Sequence, residues 1–259
     1  LPRSAAAAAL ALLLAVPAAH AQPGFAFGPA AAATADGPAT SRDLLGNPGS
    51  GGNRYQQVYD ASLFAAGPQS ISEIQFRAAN PANAFRPDGV STTAVTVTLS
   101  TTGVSSSPGA TAAGAFSASF ADNVGADAAV VYDGPLTLIR GGSNPAGEPQ
   151  PFAYGFTLQN AFAYNPALGN LLLDVRVPVG ATVSAVNLNG SFGAYEDFDA
   201  FTASGDGTAS ARGTGNNAIG AAGNTGLATR FTAVVVPEPA TATLAGVGLG
   251  LLALRRRRA

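Results

Sequence analysis

The feature that most narrows the fold is an apolar–polar alternation with a period of two, recurring in short segments along the chain. In ISEIQFRA, Ile74, Phe76 and Ala78 alternate with Glu73, Gln75 and Arg77. TAVTVTLST sets Val95, Val97 and Leu99 on one face and Thr96 and Thr98 on the other. PFAYGFTLQ aligns Phe152, Tyr154, Phe156 and Leu158, and LLLDVRV aligns Leu171, Leu173, Val175 and Val177 opposite Asp174 and Arg176. FSASFA offers Phe116, Ala118 and Phe120 in the same way. Residues 55–59 open the series and residues 228–236 close it. Residues 130–132 and 136–139 flank the turn signal Asp133-Gly134-Pro135, and residues 182–188 run into the hairpin signal Asn189-Gly190. About ten short strands separated by Gly, Pro and Asn turns, with no amphipathic helix, predict an all-β chain. The expected architecture is an antiparallel β-sandwich of jelly-roll-like type.

The chain has no Cys, so this fold must be held by a hydrophobic core and not by disulfides. Residues 54–235 are the expected sandwich domain. Residues 22–53, rich in Ala, Gly and Pro, read as a linker or loosely ordered N-terminal segment. Residues 203–226 read as a mobile surface loop.

The first 21 residues have another character. Arg3 precedes an apolar run over residues 5–16, and Ala19-His20-Ala21 follows. A basic start, a short apolar stretch and an A-x-A end form a secretory signal peptide, with cleavage expected after Ala21. The segment carries His20, the sole histidine of 259 residues. Once it is removed, the chain has no imidazole, thiol or side-chain amine, since all thirteen basic residues are Arg. Ser-His-Asp and Cys-His catalysis, Schiff-base lysines and the usual zinc, copper or haem ligand sets are excluded. Carboxylate chemistry and oxygen-ligand cations survive, and no cofactor is called for. Between residues 22 and 236, eight Arg stand against fourteen Asp and Glu, a net of minus six. Such a domain lacks the basic face that nucleic-acid binding requires.

The last 24 residues, 236–259, are organised differently again. Fifteen uncharged residues at 240–254 would span roughly 22 Å as a helix, short of the about 20 residues that a stable membrane crossing needs. Arg255, Arg256, Arg257 and Arg258 follow, and positive-inside asymmetry would hold that end in the cytoplasm. Pro237 and Pro239 cannot continue the helix on the other side, which leaves Val236-Pro237-Glu238-Pro239 as an extended segment at the outer membrane–water boundary. This three-part array resembles the PEP-CTERM sorting signal of Gram-negative bacteria: the Pro237-Glu238-Pro239 motif, a short transmembrane helix and a terminal Arg cluster. The resemblance implies recognition and removal of the tail by an exosortase, a multi-pass membrane enzyme. It also implies transient anchoring in the inner membrane, and a destination at the cell surface or in the extracellular matrix, associated with exopolysaccharide. An uncleaved single-span anchor is the plain alternative.

The body resembles the globular region of one group of PEP-CTERM proteins, in RYQQVYDASLF (54–64), VYDGPLTL (131–138), FAYNPALGNLLLDVRV (162–177) and GLATRF (226–231). The resemblance carries fold and company without a mechanism. Glu196, Asp197 and Asp199 form the densest acidic cluster and are candidate calcium ligands, set against the reading of solvated loop charges. Asp122-Asn123-Val124-Gly125-Ala126-Asp127 lacks the remainder of a calcium loop and reads as turn chemistry. A glycoside hydrolase would need two carboxylates across a cleft, for which Asp174 and Glu196 are candidates. The chain has no Trp to stack on sugars, although six Tyr remain, with Tyr154 expected in the core. The reading is an exported structural or adhesive protein without enzymatic activity. A carbohydrate-binding module is the alternative, followed by a carboxylate-type glycoside hydrolase.

Overall fold

The computed structural model describes residues 23–41, 44–46, 52–79, 88–106, 115–142, 144, 148–186, 198–202, 208–214, 221–223 and 225–236. These residues are all-β, with antiparallel sheets and four short 3-10 turns and no α-helix among them. One sheet has the order β1 (Pro23–Gly28), β14 (Thr229–Val235), β4 (Gln69–Phe76), β7 (Tyr154–Tyr164). A larger sheet runs β12 (Ala221–Gly223), β11 (Thr208–Thr214), β3 (Asn53–Tyr59), β8 (Asn170–Val177), β5 (Gly89–Thr102), β6 (Ala129–Ile139). On the first part of β5, β9 (Val183–Val186) takes the place that β8 holds further along. A third, small sheet joins β13 (Thr225–Leu227), β10 (Phe198–Thr202) and β2 (Ala39–Ser41).

The alternation read from the sequence sets the core. Val95, Val97 and Leu99 of β5, Leu171, Leu173, Val175 and Val177 of β8, and Tyr154, Phe156 and Leu158 of β7 are all buried in one apolar cluster. Rings join the sheets across it. Tyr59 of β3 meets Phe231 of β14 edge-on at 4.8 Å, Tyr132 of β6 meets Phe156 of β7 at 5.3 Å, and Phe76 of β4 meets Phe198 of β10 at 5.9 Å. Such tilted pairs add about 0.5–1.5 kcal/mol each beyond the area they bury. Two polar side chains admitted to this core, Tyr59 and Gln57, are bonded. The Tyr59 hydroxyl is 2.8 Å from Thr229 Oγ1, and the Gln57 amide donates to Leu227 O (3.1 Å) while accepting from Leu227 N–H (2.9 Å).

Four sequence expectations are corrected. The 22–53 segment, read as a linker, contains β1, paired with β14 over six residues, and β2. β1 is placed by its main-chain ladder with β14, a pairing that composition does not show. Within 203–226, read as a mobile loop, β11 pairs with β3 over seven residues. FSASFA is not a regular strand. Asn123 accepts from Ser117 N–H and donates to Ser117 O (both 2.8 Å), folding the segment into a turn that ends in a 3-10 helix at Phe120–Asn123. Finally, Asp133-Gly134-Pro135 does not end the strand: β6 continues through it, with a shift of register against β5 at Pro135. As an edge strand, β6 accommodates Pro135 without losing an interior ladder bond.

Candidate functional site

At the end of β4 the chain leaves one sheet for another, and Arg77 is the residue that crosses. Its N–H donates to Ala228 O (3.1 Å), and its carbonyl accepts from Asp199 N–H of β10 (2.9 Å). The side chain turns inward and is 2% exposed, although the alternation assigned it to the polar face with Glu73 and Gln75. Its guanidinium donates to the carbonyls of Ala32 and Ala35, lies 3.4 Å from Asp199 Oδ2 and 3.5 Å from Asp36 Oδ1, and stacks over Phe152 at 4.4 Å. Among the described residues, Nε has no hydrogen-bond partner, and it is buried. Burial pulls the Arg77 pKa down, against the opposing pull of Asp199 and Asp36. Burial also pushes the Asp199 carboxyl up to about 6, while the Gly37 N–H and Arg77 act to lower it and Asp36 to raise it. Gly37 N–H donates to both oxygens of Asp199 (2.9 and 3.0 Å).

Beside this hub opens a cleft of ≈ 380 Å³, lined by Phe27, Arg77, Gln150, Pro151, Phe152 and Arg230 among others. Arg230, on β14, donates through Nε to Gln75 Oε1 (2.5 Å), and its guanidinium lies over Phe25 (4.7 Å) and Phe152 (5.2 Å). Its pKa is lowered by burial first, with Glu73 opposing and Arg77 adding to the fall. Phe27 and Phe152 meet at 5.5 Å. The loop that supplies Gln150 and Phe152 is tied to the hub, since Gln150 N–H donates to Asp36 Oδ1 (2.7 Å).

The outer face of β3, β8 and β5 carries a second polar cluster. Asp174 accepts from Arg54 through both oxygens (3.0 and 2.5 Å) and from Gln56 Nε2 (2.8 Å). Gln56 also donates to Phe120 O (3.0 Å), accepts from Asn123 (3.0 Å) and is fully buried, while Arg54 caps the Phe120 ring at 4.8 Å. A smaller cleft of ≈ 180 Å³, lined by Arg54, Thr96, Thr98, Asp174 and Arg176, lies on this face. Asp174 is thus tied into the packing of the 115–124 segment on the sheet. In the Asp122–Asp127 stretch the side chains serve local structure: Asp122 accepts from Ser117 Oγ (3.2 Å) and Asp127 from Thr101 N–H (2.7 Å).

Of the residues singled out from the sequence, Ala19, Ala21, Glu196, Asp197, Pro237, Glu238, Pro239 and Arg255 to Arg258 lie outside the described residues. The described member of the acidic cluster, Asp199, spends its oxygens on Gly37 and Arg77. Among the described residues no group of three or more His, Cys, Asp or Glu is placed to hold a metal ion, and no helix is long and apolar enough to cross a membrane. Tyr55, Tyr59, Tyr154 and Tyr164 are buried, and Tyr132 is half-buried. Sequence reasoning missed Arg77, Gln150 and Arg230. The one signal available for Arg77 was the run of small residues around it, Ala78 and Ala79 after it and Ala32 and Ala228 elsewhere, which leaves room for a guanidinium.

Neither the curated proteins nor the solved structures contain a match to the chain. A family model does match its end: residues 235–258 fit the one described as the PEP-CTERM protein-sorting motif. The chain is therefore a PEP-CTERM sorting domain-containing protein, an exosortase substrate bound for the cell envelope or surface.

Proposed function

We propose that the chain is a structural or adhesive component of the cell surface or extracellular matrix, working in association with exopolysaccharide and without catalysis of its own. The sorting motif at 235–258 carries this reading, because it couples the domain to surface export. On this reading the 1–21 signal peptide directs export, and residues 240–254 hold the chain transiently in the inner membrane until the exosortase acts. The domain between them is a jelly-roll-like sandwich, a reading supported by the main apolar cluster, to which both larger sheets contribute. The engagement of Asp174 by Arg54 and Gln56 and of Asp199 by Gly37 and Arg77 favours structural duty for these carboxylates over general acid–base work.

The test is fractionation of the producing cells, with immunoblots of inner-membrane, surface and matrix fractions before and after depolymerisation of the matrix polysaccharide. The protein is expected in the surface and matrix fractions and is expected to be released with the polysaccharide. Retention of the full-length chain in the inner membrane, or a surface distribution indifferent to depolymerisation, overturns the reading. Release of reducing sugar by the purified protein from that polysaccharide overturns the absence of catalysis.

A further inference from the structure

We propose that the cleft between Arg77, Arg230 and Phe152 binds the carboxylate of an acidic sugar residue, a uronate within a polysaccharide. The proposal rests on the reading of the chain as a polysaccharide-associated surface protein, and it names the part of the polysaccharide that is held.

Asp199 and Asp36 face Arg77, so that guanidinium is charge-compensated. Arg230 is not compensated in the same way. Its Nε is taken by Gln75, while Glu73 spends its oxygens on Gln75 Nε2 (3.0 Å) and Thr232 Oγ1 (2.8 Å). The two terminal nitrogens of Arg230 therefore make no hydrogen bond among the described residues. Gln150 is 5% exposed, and its Oε1 faces Asn144 N–H (3.3 Å), which leaves Nε2 as a donor without a partner among the described residues. Arg77 Nε, also without a partner among the described residues, is buried behind these two groups and is not counted with them.

Every unspent side-chain group in the cleft thus donates and none accepts. An acceptor-only group complements such a set, and a carboxylate meets a guanidinium fork with two parallel bonds. Metal cations are disfavoured by the same arrangement, since the Arg230 guanidinium lines the space. The walls decide what carries the carboxylate. Phe27 and Pro151 present flat apolar surfaces suited to the C–H face of a pyranose ring. The volume of ≈ 380 Å³ admits a ring of that size and exceeds what a bare anion needs. Phe152, gripped by both guanidinium groups, holds the two cations in place before the ligand arrives, which lowers the ordering cost of binding.

The experiment is isothermal titration of the full-length chain in detergent with a β-1,4-linked glucuronate tetramer, with cellotetraose and tetraglutamate as matched controls. The uronate is expected to bind at least about tenfold more tightly than either control, with affinity that falls as salt is raised. Arg230→Gln is expected to weaken uronate binding about tenfold or more while leaving the melting temperature near that of the wild type. Arg230→Lys, which keeps the charge and loses the fork, is expected to weaken it severalfold, and so is Gln150→Ala. Equal affinity for cellotetraose removes the carboxylate from the proposal, and equal affinity for tetraglutamate removes the sugar. Uronate binding that survives Arg230→Gln and Gln150→Ala unchanged places the ligand elsewhere and overturns the site. A chain that leaves cells with depolymerised polysaccharide but does not bind uronate defeats this proposal alone. A chain that does neither defeats the underlying reading as well.

Discussion

Arg77 and Asp199 are joined twice, by the Asp199 N–H bond to the Arg77 carbonyl (2.9 Å) and by the 3.4 Å approach of the guanidinium to Asp199 Oδ2. Both side chains are 2% exposed. The pair fastens the end of β4 to β10, and so ties the four-stranded sheet to the three-stranded one. Its protonation has consequences for stability. The Asp199 pKa rises on folding, from 3.8 to about 6, so between those values the folded chain binds more proton than the unfolded one. This contribution favours folding in acid, weakens as pH rises through 6 and is absent above it, with a ceiling of about 3 kcal/mol. In Asp199→Asn that part of the pH dependence is expected to vanish. The check is the difference in unfolding free energy between wild type and variant at pH 4.5 and pH 7.5; a difference that does not change with pH contradicts the assignment.

Gly37 is bound to the same pair. A Cβ there would stand 2.1 Å from Ala200 O and 2.9 Å from Asp199 Oδ1, both too close to exist without movement. Gly37→Ala is expected to destabilise the domain by about 1–3 kcal/mol or more, by pushing β10 and its carboxylate away. Urea denaturation measures it directly, and a change under about 0.5 kcal/mol would show that the segment yields freely.

The strand phase makes a sharper comparison. Leu173 is fully buried, whereas Thr98, on the neighbouring strand, belongs to the outer face. Leu173→Ala is expected to cost about 2–5 kcal/mol, and Thr98→Ala less than about 1 kcal/mol. Similar costs at both positions would contradict the faces assigned to β8 and β5.

Arg54→Ala probes the outer cluster. It removes both bonds to Asp174 and the cap on Phe120, leaving a largely buried carboxylate next to Gln56. A loss of about 1–3 kcal/mol is expected, with the double variant Arg54→Ala/Asp174→Asn recovering part of it. Additive losses would mean that the two residues are not coupled.

For the sorting motif, Glu238→Gln retains size and polarity and leaves the uncharged stretch and the Arg cluster intact. Processing is expected to fail, with full-length chain accumulating in the inner membrane on immunoblots. Deletion of Arg255 to Arg258 is expected to loosen topology instead. Normal processing of the Glu238→Gln chain would favour a plain anchor.

The strands that bury branched and aromatic residues were readable from alternation alone, as in β4, β5, β7 and β8, since their period expresses which face meets the core. β1 and β11 were not, because each is placed by backbone pairing, with β14 and β3, a long-range relation with no local signature. The sorting tail was legible because its parts are contiguous. The cleft was not, because residues 77, 150 and 230 meet only through topology. Arg77 misled for a further reason: the alternation that places Gln75 on the polar face ends at Phe76, where the chain changes sheets.

One consequence follows from the position of β14. It is flanked by β1 on one side and β4 on the other, and beyond its last residue Val236 N–H still bonds to Pro68 O (2.8 Å). Ladder bonds in antiparallel pairs run perpendicular to the strands. A mechanical load entering at Val236 and resisted within the domain would therefore pull β14 lengthwise between its neighbours, so that two rows of bonds share the force in shear. A load applied between Pro23 and Val236 meets the opposite geometry. Pro23 is in register with Val234, so the β1–β14 pair would open one bond at a time from its end.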